Sequence, residues 1–238
     1  MEWAFASRRI DIARLLIERG SRVDHISAKG WTPAFDLFGY DWLHGMRQPS
    51  CLEYLQLLSA AGYSDWDIQD SAGWTVMHGA AFFGTAEDIS ALVNVGASVS
   101  IASFADQTPV RLAVAHNKTE SFLELAKYLP ASFVDERDKR GWTLLHEAAW
   151  VGSKEMLDLV FQYEPDPHML TYKTAFDVPP GLERRELAPI DIARHQSDHH
   201  FKVFAEALAL AGHDISLVPD SEDDEKDDLF LPAYSEKV

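Results

Sequence analysis

Four threonines recur along this chain in a single phase. They stand at Thr32, Thr75, Thr108 and Thr143, spaced by 43, 33 and 35 residues, and Ala188 continues the series 45 residues further on. Three of them close the triplet Gly-Trp-Thr, at Gly30-Trp31-Thr32, Gly73-Trp74-Thr75 and Gly141-Trp142-Thr143, while Asp106-Gln107-Thr108 takes its place at the fourth. A period of 33 with two insertions of about ten residues accounts for the spacings most simply. A unit of that length cannot bury its apolar face alone, so neighbouring units must stack and share one continuous core.

The residues after each threonine give the unit its shape. They read Thr32-Pro33-Ala34-Phe35, Thr75-Val76-Met77-His78, Thr108-Pro109-Val110-Arg111, Thr143-Leu144-Leu145-His146 and Ala188-Pro189-Ile190-Asp191. Threonine caps a helix, proline fits the first helical position where its missing N–H costs nothing, and an aliphatic follows to be buried. Small pairs such as Ala80-Ala81 and Ala148-Ala149 let two helices approach closely. Gly84, Asn117 or Gly152 then turns the chain, as residues tolerant of positive φ do. A second amphipathic run follows, as in Met156-Leu157-Asp158-Leu159-Val160, and several units close on a glycine suited to a helix C′ position (Gly20, Gly62, Gly96, Gly212).

This pattern resembles the Thr-Pro-Leu-His signature of the ankyrin repeat family. The resemblance implies an all-α solenoid of helix-turn-helix units with short β-hairpin fingers, about five repeats plus an N-terminal half repeat. Residues 1–29 form the partial repeat, with Phe5 at the second small position of its first helix. The chain therefore starts inside a repeat, either as a native start or as a piece of a longer protein. Repeats then span 30–72 with an insertion near Gly39–Pro49, 73–105, 106–140, and 141–185 with a Pro-rich insertion. Residues 186–218 make a degenerate capping repeat, and 219–238 an acidic disordered tail.

The tail holds eight acids and two lysines, a net −6 of the whole chain's −17. Such a run cannot bury enough apolar surface to order itself. The rest of the chain, at −11, repels phosphate backbones and anionic lipid. Neither nucleic acid nor membrane is expected as a partner, and no apolar run approaches 18 residues. The lone Cys51 excludes an internal disulfide and fits a reducing compartment, the cytoplasm, with the nucleus as alternative.

The family resemblance also points to a binding surface, made of finger residues and the two residues after each small pair. Carried over position by position, it comprises Trp31, Tyr40, Trp74, Phe82, Phe83, Phe104, Gln107, His116, Arg137, Lys139, Arg140, Trp142, Trp150 and Val151. Eight of these fourteen are aromatic, against 11% of the chain, and a contiguous aromatic strip on a soluble protein generally serves binding. Arg137, Lys139 and Arg140 make a basic finger that could pair with a partner's acids or with the tail. The expected partner is another protein; the alternative is an enzyme or binding protein that holds a small apolar ligand in an aromatic groove closed by the inserted loops. In that alternative Asp36, Asp41 or Glu147 would supply the acid. His195 and His199 have a metal-like spacing without the further ligands zinc needs. His78 and His146 occupy the family's structural hydrogen-bonding position. No phosphate loop or catalytic constellation is present, so neither cofactor nor metal is expected.

Overall fold

A computed structural model describes residues 2–7, 9–28, 30–38, 51–173, 179–183 and 185–213. The first insertion, with Tyr40 and Asp41, and the acidic tail lie outside the described residues. The helices are α1 (Glu2–Ala6), α2 (Ile10–Glu18), α3 (Leu52–Ala60), α4 (Val76–Phe83), α5 (Ala86–Asn94), α6 (Pro109–Ala115), α7 (Thr119–Ala126), α8 (Leu144–Val151), α9 (Lys154–Phe161), α10 (Pro189–Gln196) and α11 (Asp198–Leu210). Short 3-10 turns cover Phe35–Leu37 and Ala131–Asp135.

Helices α4, α6 and α8 begin directly after Thr75, Thr108 and Thr143, each of which is extended and caps the helix it precedes. Pro109 and Pro189 stand at the first helical positions, where a missing N–H is harmless. The second helices carry their own caps: Thr85, Ser153 and Ser197 accept the amides of Asp88, Met156 and His200 at 3.3, 3.3 and 3.2 Å. Such caps each contribute about 1 kcal/mol, which matters for helices of two turns that would not persist alone.

First helices stack on first helices, α4 on α6, α6 on α8 and α8 on α10. Second helices stack on second helices, from α2 on α3 through α5 on α7 to α9 on α11. The result is a two-layered solenoid. Its shared core holds Leu55, Met77, Leu92, Phe122, Leu145, Leu157 and Phe204, all fully enclosed, with the alanine pairs 80–81 and 148–149 where the first helices approach. Phe5 is buried as its alignment implied.

The structure revises two sequence expectations. The fingers are tight turns, and no strand occurs among the described residues. Each is closed by two backbone bonds at 2.8–3.0 Å: an amide to the carbonyl four residues on, Ser27 to Trp31, Asp70 to Trp74, Ser103 to Gln107 and Asp138 to Trp142, and a return bond to the first residue's carbonyl from Gly30, Gly73, Asp106 and Gly141. An acid or serine at the first position holds the turn, which leaves no room for a strand ladder: Asp70 Oδ1 accepts the amides of Ala72 and Trp74 at 2.8 and 2.9 Å, and Asp138 Oδ1 those of Arg140 and Trp142 at the same distances. Gly84, for its part, has φ −84°, so it is not a left-handed turn residue. It is glycine because an added Cβ would lie 2.7 Å from the Ala80 carbonyl oxygen and 3.1 Å from the Phe38 ring.

The Pro-rich insertion lies inside the last finger. Thr171 N donates to Leu187 O at 3.0 Å and Leu187 N to Thr171 Oγ1 at 3.0 Å, so these two residues repeat the Asp138–Trp142 closure across a longer loop. His195 Nε2 donates to Pro180 O at 3.2 Å and secures that loop to α10.

One bond recurs between repeats. In the third repeat His78 Nδ1 accepts the Thr75 amide at 3.0 Å while Nε2–H donates to Gln107 O, in the following finger, at 2.8 Å. His146 repeats this with the Thr143 amide at 3.0 Å and Leu187 O at 3.1 Å. A carbonyl can only accept, so both rings carry their proton on Nε2. Burial holds His146 neutral, down to about 4 from an ordinary value near 6.5. Between those values the unfolded chain takes up a proton that the fold refuses, so stability present above pH 6.5 is lost as pH falls toward 4. The full loss is about 3 kcal/mol. Denaturant unfolding at pH 7 and pH 4.5 should show it, and His146→Gln, which can still accept and donate, should lose about 2 kcal/mol less stability over that interval.

Candidate functional site

Two fingers and one helix end converge on a groove. Gly30 and Gly73, at φ +80° and +79°, turn the chain so that Trp31 and Trp74 follow directly, and α4 ends on Phe82 and Phe83. The 3-10 turn of the second repeat adds Phe35 and Phe38. These residues line a cavity of about 510 Å³ with mostly apolar walls. Within it Trp74 stacks on His78 at 5.8 Å, lies 6.3 Å from Phe82, and Phe82 meets Phe83 edge-on at 4.4 Å. His116 abuts the Phe82 ring at 4.4 Å and Lys118 Nζ stands 5.4 Å from that ring's centre. Phe83 remains 49% exposed, so the aromatic wall opens to solvent.

Asp70, the one carboxylate among the described residues that line the groove, is engaged. Its Oδ1 holds the finger turn, and its Oδ2 accepts the Trp31 indole N–H at 3.2 Å. That bond fixes the indole against the next finger. Neither Asp36, buried beside the groove, nor Glu147 is among the residues that line it.

The fourteen expected residues do not form one continuous strip. Trp31, Trp74, Phe82 and Phe83 come together, with His116 touching their edge. Trp142 is a correction: it is 2% exposed, enclosed between Trp150 at 6.0 Å and the Arg140 guanidinium 4.3 Å over its face. Trp150 and Val151 are half-buried, Gln107 is half-buried with its carbonyl bound by His78, and Phe104 is 64% exposed with its ring laid on Gly73. Tyr40 lies outside the described residues.

The basic finger divides in the same way, which is a second correction. Arg140 pairs with Asp138 at 2.7 Å and with Glu147, facing inward. Burial opposes its charge, and Glu147 and Asp138 outweigh that, holding the guanidinium above its ordinary range. Only Arg137 and Lys139 are exposed. Arg137 lies over Tyr172 at 5.5 Å, and the Lys139 amide donates to Asp106 Oδ2 at 2.7 Å.

Phe35, Phe38 and Asp70 were not anticipated. Asp70 had a readable signal, since an acid four residues before a finger tryptophan recurs at Asp138. Phe35 occupies the signature's histidine position and had none.

No family model matches the chain. Alpha-latrotoxin-Lg1a of Latrodectus geometricus is 33% identical over 101 residues, which is 42% of this chain and only 7% of the toxin. The crystal structure of the ankyrin repeat domain of Bcl-3, described as a unique member of the IkappaB protein family, superposes with a TM-score of 0.68 at 18% identity. The match covers 90% of this chain and 86% of that one. The fold is the ankyrin-repeat solenoid. Among the described residues no helix is long and apolar enough to cross a membrane.

The enclosed and the open aromatic environments make different predictions. Trp142→Ala should cost about 3–5 kcal/mol of folding stability, as a cavity in a closed core does. Phe83→Ala should cost no more than about 1.5 kcal/mol, the worth of its ring pair with Phe82. Urea unfolding followed by far-ultraviolet circular dichroism checks both.

Proposed function

We propose that this chain is a protein-interaction module that seats an apolar anchor of its partner in the groove between Trp31, Trp74 and Phe83. The observation that carries the reading is the groove itself. Half-exposed aromatic side chains gathered in one concavity are the residue type and the shape that interface anchors occupy, and aromatic area of this kind is seldom left to water without use. Its rigid mounting supports the reading further. Trp31 is held by its indole bond to Asp70 and Trp74 by stacking on a buried histidine, so little side-chain freedom is lost on binding.

A cavity of about 510 Å³ is also within the range of small-molecule sites, so an apolar ligand remains the second reading. The engaged state of Asp70 disfavours an enzymatic version of it. Three N–H groups already donate to that carboxylate, and a general base needs a free lone pair facing its substrate.

Peptides selected from a random displayed library against the intact chain should converge on an aromatic or leucine anchor. Phe83→Ala should weaken them by about 2 kcal/mol or more, some 30-fold, measured by calorimetric titration. Selected peptides that bind wild type and Phe83→Ala equally would place recognition elsewhere.

A further inference from the structure

We propose that three successive fingertips, at Phe104, Lys139 and Tyr172, are the docking surface for this chain's own C-terminal segment. The acids of 220–228 would lie against Arg137 and Lys139, and Leu229-Phe230-Leu231 against Phe104. The three tip residues share one position, each following the first residue of its finger, Ser103, Asp138 or Thr171. All three are exposed, Phe104 by 64% and Tyr172 by 44%. Bonds to the finger before hold them in place: Phe104 N donates to Ala72 O at 3.1 Å, Lys139 N to Asp106 Oδ2 at 2.7 Å and Tyr172 N to Arg140 O at 2.9 Å. The two rings rest on the glycines of those fingers, since a Cβ on Gly73 would lie 2.7 Å from Phe104 Cδ1 and one on Gly141 2.9 Å from Tyr172 Cγ. The aromatic faces are thus presented at the surface, the kind of area that binding uses.

Two cations join the rings into one surface. Lys139 Nζ lies 3.4 Å from Phe104 O, and the Arg137 guanidinium stands 5.5 Å from the centre of the Tyr172 ring. Among the described residues neither cation is in an ion pair, whereas Arg111 and Arg140 are. The segment complements both features in order. Seven of the nine residues Asp220–Asp228 are acids, and the apolar Leu229-Phe230-Leu231 follows directly. Chain length places it within reach. The chain takes seven or eight residues from a closing glycine to the next finger, from Gly20 to Ser27, Gly62 to Asp70 and Gly96 to Ser103, and the same count from Gly212 ends at Asp220. Nine extended residues then span about 30 Å, the run of three fingers set roughly 10 Å apart by helix packing. Each exposed ion pair contributes little, but the tether supplies an effective concentration on the order of millimolar, enough to populate a weak contact.

The test uses the full chain with a nitroxide label on an Ala233→Cys substitution; Cys51, fully buried, stays unlabelled. Broadening of the backbone amide resonances reports where the segment settles. At low salt the Phe104, Lys139 and Tyr172 amides should lose about half their intensity, and high salt should restore them. Arg137→Glu combined with Lys139→Glu should abolish the loss. Adding Asp223→Lys, Asp224→Lys, Asp227→Lys and Asp228→Lys to that variant should bring it back. Phe230→Ser should lessen the loss at Phe104, and an unchanged loss there overturns the seating of the apolar end. Loss spread evenly over the exposed amides, or loss that survives the charge reversal, overturns the docking surface. Loss carried to unlabelled chains, when these are isotope-enriched and mixed with labelled ones, assigns the segment to a second copy and overturns the intramolecular contact.

Discussion

At three successive boundaries a side chain at the start of the first helix reaches the carbonyl of the following finger and helps fasten one repeat to the next. His78 reaches Gln107 O, His146 reaches Leu187 O, and Arg111 Nη2 reaches Trp142 O at 2.8 Å. A backbone carbonyl buried between repeats has no access to water, so leaving it unpaired would cost about 1–3 kcal/mol. The two histidines also accept the amide of their own threonine, so each completes the helix cap of its own repeat and fixes the height of the next one. Stacking of the alanine pairs follows from that register, because first helices can come close only when every finger sits at the same level. The arginine is a less complete solution than histidine. Its Nη1 is buried without a hydrogen bond among the described residues, 4.0 Å from Asp138, and burial pulls the guanidinium down from its ordinary range.

The repeat phase was legible because it depends on residues whose local roles are fixed. Threonine caps, a proline at the first helical turn and closing glycines act within four residues of themselves, and each proved to hold the place its chemistry requires. What was not legible depends on register across 30 or more residues. The sequence put Trp74 and Trp142 in identical settings, both after Gly and before Thr. Yet Trp142 is enclosed and Trp74 is not: Trp150 and the Arg140 guanidinium close on Trp142, while Trp74 lines the groove beside the 3-10 turn of the second repeat. Arg140 was misread for a related reason. A count of charges in the finger could not show that Glu147, one helical turn into α8, lies beneath it.

The proposed binding groove lies beside a repeat that departs from the regular pattern. In a regular repeat the first helix of one unit covers the first helix of its neighbour, as α6 covers α8. In the second repeat only Phe35–Leu37 of that layer is described, and Phe38 then lies against Gly79, where an added Cβ would stand 2.8 Å from the Phe38 Cβ. Beyond it Phe82 and Phe83 close α4, with Phe83 left half-exposed. Insertions are tolerated in solenoids because each unit contacts only its neighbours.

That economy also bears on why binding is a better reading than catalysis. The charged groups inside this solenoid are consumed by the architecture. Asp70 and Asp138 hold finger turns, Asp88 accepts the amides of Cys51 and Thr85 at 2.7 and 3.0 Å, and Glu147 neutralises Arg140. Each carboxylate spans two repeats or both ends of a turn, so its removal would loosen the stack before it altered any chemistry. A catalytic acid or base needs a pKa set by its surroundings and an atom left free for substrate. Phe83, at the open side of the groove, is under no such obligation, since it can be exchanged for another shape without breaking a buried hydrogen bond. A scaffold whose polar groups fix its register and whose apolar groups remain free at the surface is one in which partner choice can change while the fold does not.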